Sequence, residues 1–259
     1  MSQIIRVTPR ALFAAAATLL LLGACWLATA GPAAAGKGEQ KAKQIGATKK
    51  TPPADCPTSP SLGQCQAIGK TTVIQTVADG RNQPLRVIHD GKIVAYSIDF
   101  GAPTKHDRKV LGSDDFFGSS RYGASSTVRL AVLKRKGDRK FKLKRQSPTV
   151  VVGKSAFGNR FYLTLDRPLR ITKGLYVGLT VPTWLTAVQG RVDNGDKVPG
   201  GFSKRGNQYI SSRSSKKCVG TQNALSAHPH QKVGSTRSYG CKFTQARVLY
   251  KAYYVPNKR

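Results

Sequence analysis

The sequence predicts an all-β protein, an antiparallel β-sandwich of jelly-roll type, and three observations predict it. From about Thr71 onward, apolar residues recur at every second position in short runs, which is the period of a strand with one buried face. Glycine, proline and aspartate separate those runs at short spacing, the punctuation of sandwiches. Beyond the N-terminal segment no run of ten residues has helical periodicity, which excludes a parallel βαβ architecture.

Composition is compatible with that fold. At 39% hydrophobic and 21% charged over 259 residues, the chain can bury a core, which argues against wholesale disorder. Lys and Arg number 43 against 12 Asp and Glu, a formal charge of +31, so an acidic, solvating tail protein is excluded.

In chain order, Arg6 and Arg10 precede an uncharged, mostly apolar stretch from Ala11 to Ala24, and small-residue sites follow at Ala28-Thr29-Ala30 and Ala33-Ala34-Ala35. Residues 1–35 therefore read as a secretory signal helix that is removed, giving a secreted or cell-surface protein. Two alternatives compete. The run from Ala11 to Ala30 is long enough to span a bilayer as an uncleaved anchor. Leu22-Gly23-Ala24-Cys25 has the look of a bacterial lipobox with Cys25 lipidated, although Trp26 and Leu27 continue the apolar run where lipoproteins turn polar. No later segment could span a membrane as a helix. Residues 36–55 are rich in Lys, Gly, Ala, Thr and Pro, with Ile45 their only large apolar residue, and read as a flexible basic linker. Residues 56–259 are expected to form a single sandwich domain.

Within that domain, Leu175, Val177, Leu179 and Val181 alternate with Tyr176, Gly178 and Thr180, the clearest strand of the chain. Phe161, Leu163 and Leu165, and Val128, Leu130 and Val132, mark two more half-buried strands. Asp90-Gly91 is read as the two-residue turn of a hairpin, and Gly137-Asp138 as another. The last strand places Val248, Tyr250, Ala252 and Tyr254 on one side and ends at Pro256. Residues 101–126 and 193–215 read as long irregular segments, the kind that carry function or move.

Four cysteines follow the signal segment: Cys56, Cys65, Cys218 and Cys241. An even number in an exported chain reads as two disulfides, with three connectivities open; the local pairs, Cys56 with Cys65 and Cys218 with Cys241, are favoured. The alternative, a zinc site, lacks any Cys-x-x-Cys pair.

Several motifs together resemble an uncharacterised family of exported proteins from high-GC actinobacteria. They are Leu130-Ala131-Val132-Leu133, Arg145-Gln146-Ser147-Pro148, Gly174 to Val177, Leu179-Thr180-Val181-Pro182-Thr183-Trp184, Tyr239-Gly240-Cys241 with Cys218, and Ala246-Arg247-Val248-Leu249-Tyr250. The likeness covers about residues 91–256, with Leu185 and Thr186 departing from it. It implies one β-sandwich with Cys218 joined to Cys241, and no established activity.

Catalytic signals are thin. The only Glu is Glu39, in the linker, and Asp114 and Asp115 are neighbours that an extended strand would point to opposite faces, so a glycosidase pair is not expected. No Gly-x-Ser-x-Gly elbow occurs; Gly118-Ser119-Ser120-Arg121 lacks the second glycine, and His89 and His106 lie near predicted turns. His228 and His230 would supply two imidazoles to a metal, which is too few for a site. Asp193, Asn194 and Asp196 resemble part of a calcium loop without its terminal Glu and read as a turn. We therefore expect no enzyme, no metal and no cofactor.

Binding signals are stronger. Twelve positions hold eight basic residues, Lys134, Arg135, Lys136, Arg139, Lys140, Lys142, Lys144 and Arg145, against Asp138 alone. One sheet edge is thus expected to be strongly positive and to attract polyanions. Export separates the chain from nucleic acid, and no recognition motif accompanies the charge, so anionic envelope polymers or phospholipid headgroups are the expected partners. A soluble face made basic by compositional drift is the competing reading. Trp184, beyond a strand end, is the residue on which the alternative function, a carbohydrate-binding module, would rest.

Overall fold

Period-two burial does organise the chain, and nearly every ordered element is a strand. The computed structural model describes residues 41–46, 51–56, 65–190, 206–213, 218 and 231–258. The signal segment with Cys25, Glu39, the 193–196 turn, His228 and His230 lie outside the described residues. In order the elements are β1 (Lys43–Ile45), β2 (Ile68–Ala78), β3 (Arg81–Asn82), β4 (Gly91–Asp99), helix α1 (Lys105–Leu111), β5 (Thr127–Gly137), β6 (Lys140–Gln146) and β7 (Val150–Val151). A single 3-10 turn (Lys154–Ala156) leads to β8 (Arg160–Ile171), β9 (Tyr176–Leu185), β10 (Val188–Gln189) and β11 (Gln208–Ser211). The chain closes with β12 (Thr236–Ser238), β13 (Cys241–Thr244), β14 (Arg247–Val248) and β15 (Tyr250–Pro256).

The expected antiparallel sandwich is the fold. A smaller sheet runs β1-β15-β4-β8, and a larger, curled one runs β12-β6-β5-β9-β2-β11-β13, with β3 added to β2 and β7 to β5. Strands β10 and β14 form a separate pair. Between the two main sheets lies the principal core. Val128, Leu130 and Val132 of β5, Val177, Leu179 and Val181 of β9, and Val73 of β2 meet Ile93, Tyr96 and Ile98 of β4 and Tyr250, Ala252 and Tyr254 of β15. The last-strand face predicted from alternation is therefore the buried one.

A second cluster fills the opposite, concave face of the large sheet: Ile74, Ala131, Leu133, Phe141, Leu143, Tyr176, Ile210 and Tyr239. Strand β9 is consequently buried along its whole length, where one solvated face was expected. Its polar positions are matched internally. Thr180 Oγ1 and Thr72 Oγ1 are 3.0 Å apart, Gln146 donates to Thr180 Oγ1 at 2.8 Å, and Gln231 N donates to Thr72 Oγ1 at 3.1 Å. Buried hydroxyls and amides paired in this way avoid the cost of unsatisfied polar groups.

Three local expectations are corrected. The linker is not free throughout: Lys43–Ile45 pairs with β15, Ile45 is 6% exposed, and Asp55 Oδ2 accepts from Gly190 N. One buried isoleucine and an open sheet edge suffice to order Lys43–Ile45. Asp90-Gly91 does not turn a hairpin; Gly91 opens β4, paired with Ile171 and Pro256. It is glycine because a Cβ there would lie 2.3 Å from the Val255 carbonyl oxygen. The type I′ turn is instead Asp79-Gly80, both at positive φ (51° and 75°), joining β2 to β3. Finally, residues 208–211, read as irregular, form β11 between β2 and β13.

Both disulfides join the expected local partners, Cys56 with Cys65 and Cys218 with Cys241. In the chain-entropy account each stabilises the fold by roughly 3 kcal/mol, and such bonds fit an oxidising, extracytoplasmic environment. Among the described residues no helix is long and apolar enough to cross a membrane.

Candidate functional site, the basic hairpin

The eight predicted basic residues come together on the β5–β6 hairpin, and its construction explains their exposure. On one side β5 pairs with β9 only as far as Leu133, opposite Tyr176. From Lys134 onward the hairpin therefore runs past its neighbour. Residues 134–140 are all exposed, while Phe141 and Leu143 point inward at 4% and 0%. The turn itself is Asp138-Arg139, between the Gly137 and Lys140 pair; Arg139 takes positive φ, 46°, and Gly137 does not.

The expected edge position is not what the sheet shows. Strand β12 lies outside β6, with Arg237 opposite Phe141 and Thr236 opposite Lys142, so β6 is the penultimate strand. A three-residue partner is too short to cover it, and Lys140, Lys144 and Arg145 stay exposed. Across the hairpin Lys134 faces Lys142 directly. Like charges directly opposite in an antiparallel pair repel and destabilise it.

Neutralisation is sparse. Asp138, its side chain 83% exposed, lies 3.9 Å from Arg135 and 3.7 Å from Arg139. Lys134, Lys136, Lys140, Lys142, Lys144 and Arg145 make no ion pair among the described residues. Cations elsewhere behave differently. Arg247 is paired with Asp79 at 3.1 Å, Arg160 with Asp99 at 2.6 Å, and Arg213 donates to the Gly69 carbonyl at 2.8 Å. Arg129 donates to Thr149, Gln146 and Tyr122. Burial lowers the pKa of Arg213 and Arg247, with Asp79 opposing the effect at Arg247. These are structural cations with fixed partners, which the six unpaired cations of the hairpin lack.

The other candidates fare differently. Trp184 is 2% exposed, stacked on Phe157 with ring centroids 5.6 Å apart, and its Nε1 donates to the Ala124 carbonyl at 2.9 Å. With Leu111 and Phe117 it forms a small separate core, so it presents no face to a sugar and the carbohydrate platform is not formed there. Asp114 and Asp115 are both exposed in a turn, His89 is exposed in a bend, and His106 is exposed on α1. Cys56, Cys65 and Asp107 bring potential metal-binding atoms within 4.8 Å, but the two sulfurs are bonded to each other.

Lys242 escaped the sequence reading. It sits alone beside Cys241, and only the register of β13 on β11, Lys242 opposite Ile210, brings it near the hairpin, along a groove it shares with Arg135 and Arg139. No family model, no curated protein and no solved structure matches this chain.

Proposed function

We propose that this chain is an exported, non-enzymatic β-sandwich that holds to anionic polymers of the cell envelope through the projecting β5–β6 hairpin. The observation that carries the reading is the Lys134–Lys142 pair, like charges placed directly opposite on an exposed hairpin without an acidic partner. Sheet edges are protected from aggregation by isolated lysines; eight basic residues on one hairpin go well beyond that need. A polyanion relieves the repulsion, and its contacts weaken as salt competes for the phosphates or carboxylates.

The test is co-sedimentation with isolated cell envelopes. The intact protein should sediment at low salt and be released as salt rises. Replacing the eight basic residues by Gln should abolish sedimentation while leaving the fold intact. Absence of sedimentation at low salt, or retention unaffected by the Gln substitutions, would remove the proposal.

A further inference from the structure

At the foot of the hairpin the concave face of the large sheet opens into a groove of about 570 Å³. Arg135 and Arg139 enter from the hairpin, Lys242 from β13 on the opposite wall, and Asn82 and Gln83 from the end of β3. We propose that this groove binds a phosphodiester group of a polyol phosphate. The proposal deepens the envelope reading and rests on it for the source of the ligand.

Cations outnumber acids in the groove, and its neutral amides, Asn82, Gln83 and Gln208, bring both donors and acceptors. Two guanidinium groups and one ammonium line it, and the single acid, Asp138, is shared between the two arginines. Gln83 Oε1 already accepts from the Tyr176 hydroxyl at 3.0 Å, which leaves its amide NH2 as the open end. The Asn82 amide makes no hydrogen bond among the described residues. Guanidinium forks and amide NH2 groups converging on one space call for an oxyanion surrounded by hydroxyls. Donors arriving from three elements suit a tetrahedral group with oxygens on several sides better than a planar carboxylate, which one fork saturates.

Two of the five non-glycine residues at positive φ among the described residues line the groove. Gln83 and Arg139 both occupy left-handed φ, 50° and 46°, where glycine would sit without penalty. Strained non-glycine residues concentrate where function requires a particular side chain, and both of these line the groove. Single-stranded nucleic acid shares the phosphodiester but binds through exposed aromatic faces on which its bases stack. Phe141 and Tyr176, the rings in the floor, are only 4% and 7% exposed and pack edge-on against each other.

The experiment titrates the disulfide-bonded protein with glycerophosphoglycerol at low salt, followed by calorimetry and by the side-chain amide NMR signals of Asn82 and Gln83. Saturable binding that shifts both amides is expected, with glucuronate about tenfold weaker. Lys242→Gln should weaken binding by about tenfold. Gln83→Gly should weaken it similarly while leaving the thermal midpoint unchanged or raised. Equal binding of glucuronate, tighter binding of single-stranded DNA at matched phosphate concentration, preference for free phosphate, or unmoved amides would each overturn the assignment. A Lys134, Lys136, Lys140 and Lys144→Gln variant separates the two proposals. It should sediment with envelopes much more weakly and keep glycerophosphoglycerol binding. If the groove stays silent while the intact protein still sediments, the phosphodiester site fails and the hairpin reading stands.

Discussion

Replacing Lys142 by Glu should make the protein more stable and a weaker envelope binder. Lys142 faces Lys134 across the hairpin and Thr236 on its other side, so a carboxylate there meets one ammonium and no new acid. Cross-strand charge pairs contribute about 0.2–1 kcal/mol, and like charges cost a similar amount. Turning repulsion into attraction therefore gains about 1 kcal/mol, a rise of roughly 2–4 °C in the thermal midpoint for a domain of this size. Binding moves the other way. Each basic residue near an anionic surface contributes about 1 kcal/mol, and the substitution changes the charge by two. The expected loss is about 2 kcal/mol, close to thirtyfold. Calorimetric unfolding and envelope sedimentation at fixed low salt read the two effects on one preparation. A lower midpoint would refute the cross-strand geometry. A raised midpoint with unchanged sedimentation would refute the functional reading, because the lysines would then be basic drift without a partner.

Other expectations test the frame that carries the hairpin. Trp184→Ala should cost about 3–5 kcal/mol in denaturant unfolding, as a fully buried ring leaves a cavity; a loss below about 1 kcal/mol would show that its small core is not packed. Gly80→Ala, with open space around the Cβ but φ at 75°, should cost about 1–2 kcal/mol. Gly91→Ala, whose Cβ would strike the Val255 carbonyl at 2.3 Å, should cost more, and the reverse order would contradict the β4–β15 register. Burial pushes the Tyr96 hydroxyl up to about 12, those of Tyr209 and Tyr250 further, and that of Tyr239 well above the ordinary tyrosine value. Folding thus favours their neutral form. Stability from this source is complete below the ordinary tyrosine value of about 10 and falls as pH rises beyond it. Tyrosinate absorbance should therefore show most of these hydroxyls ionising only as the protein unfolds.

The parts of the fold legible in the sequence were those where one physical signal acts alone. Val128, Leu130 and Val132, or Val248, Tyr250, Ala252 and Tyr254, alternate cleanly because one face meets the opposing sheet. Burial of the second face of β9 was hidden, since Thr180 looks solvent-facing until Thr72 and Gln146 are known to satisfy it. Two Asp-Gly pairs look alike in sequence. Asp79-Gly80 turns a hairpin and Asp90-Gly91 does not, because a long-range approach of the Val255 backbone decides the second glycine. Strands β1 and β11 are three and four residues long, and their order comes from neighbours supplied by distant segments. The basic hairpin was visible as a charge run, whereas Lys242 was not, because its place depends on strand register alone.

The salt dependence of binding to a purified anionic envelope polymer tests the hairpin most directly. Log affinity against log salt should fall steeply for the intact protein, since each neutralised charge releases counterions and adds to the slope. With the eight hairpin cations replaced by Gln and the fold retained, the line should become nearly flat. Two parallel lines would contradict the account, for the remaining surface would then be holding the polymer.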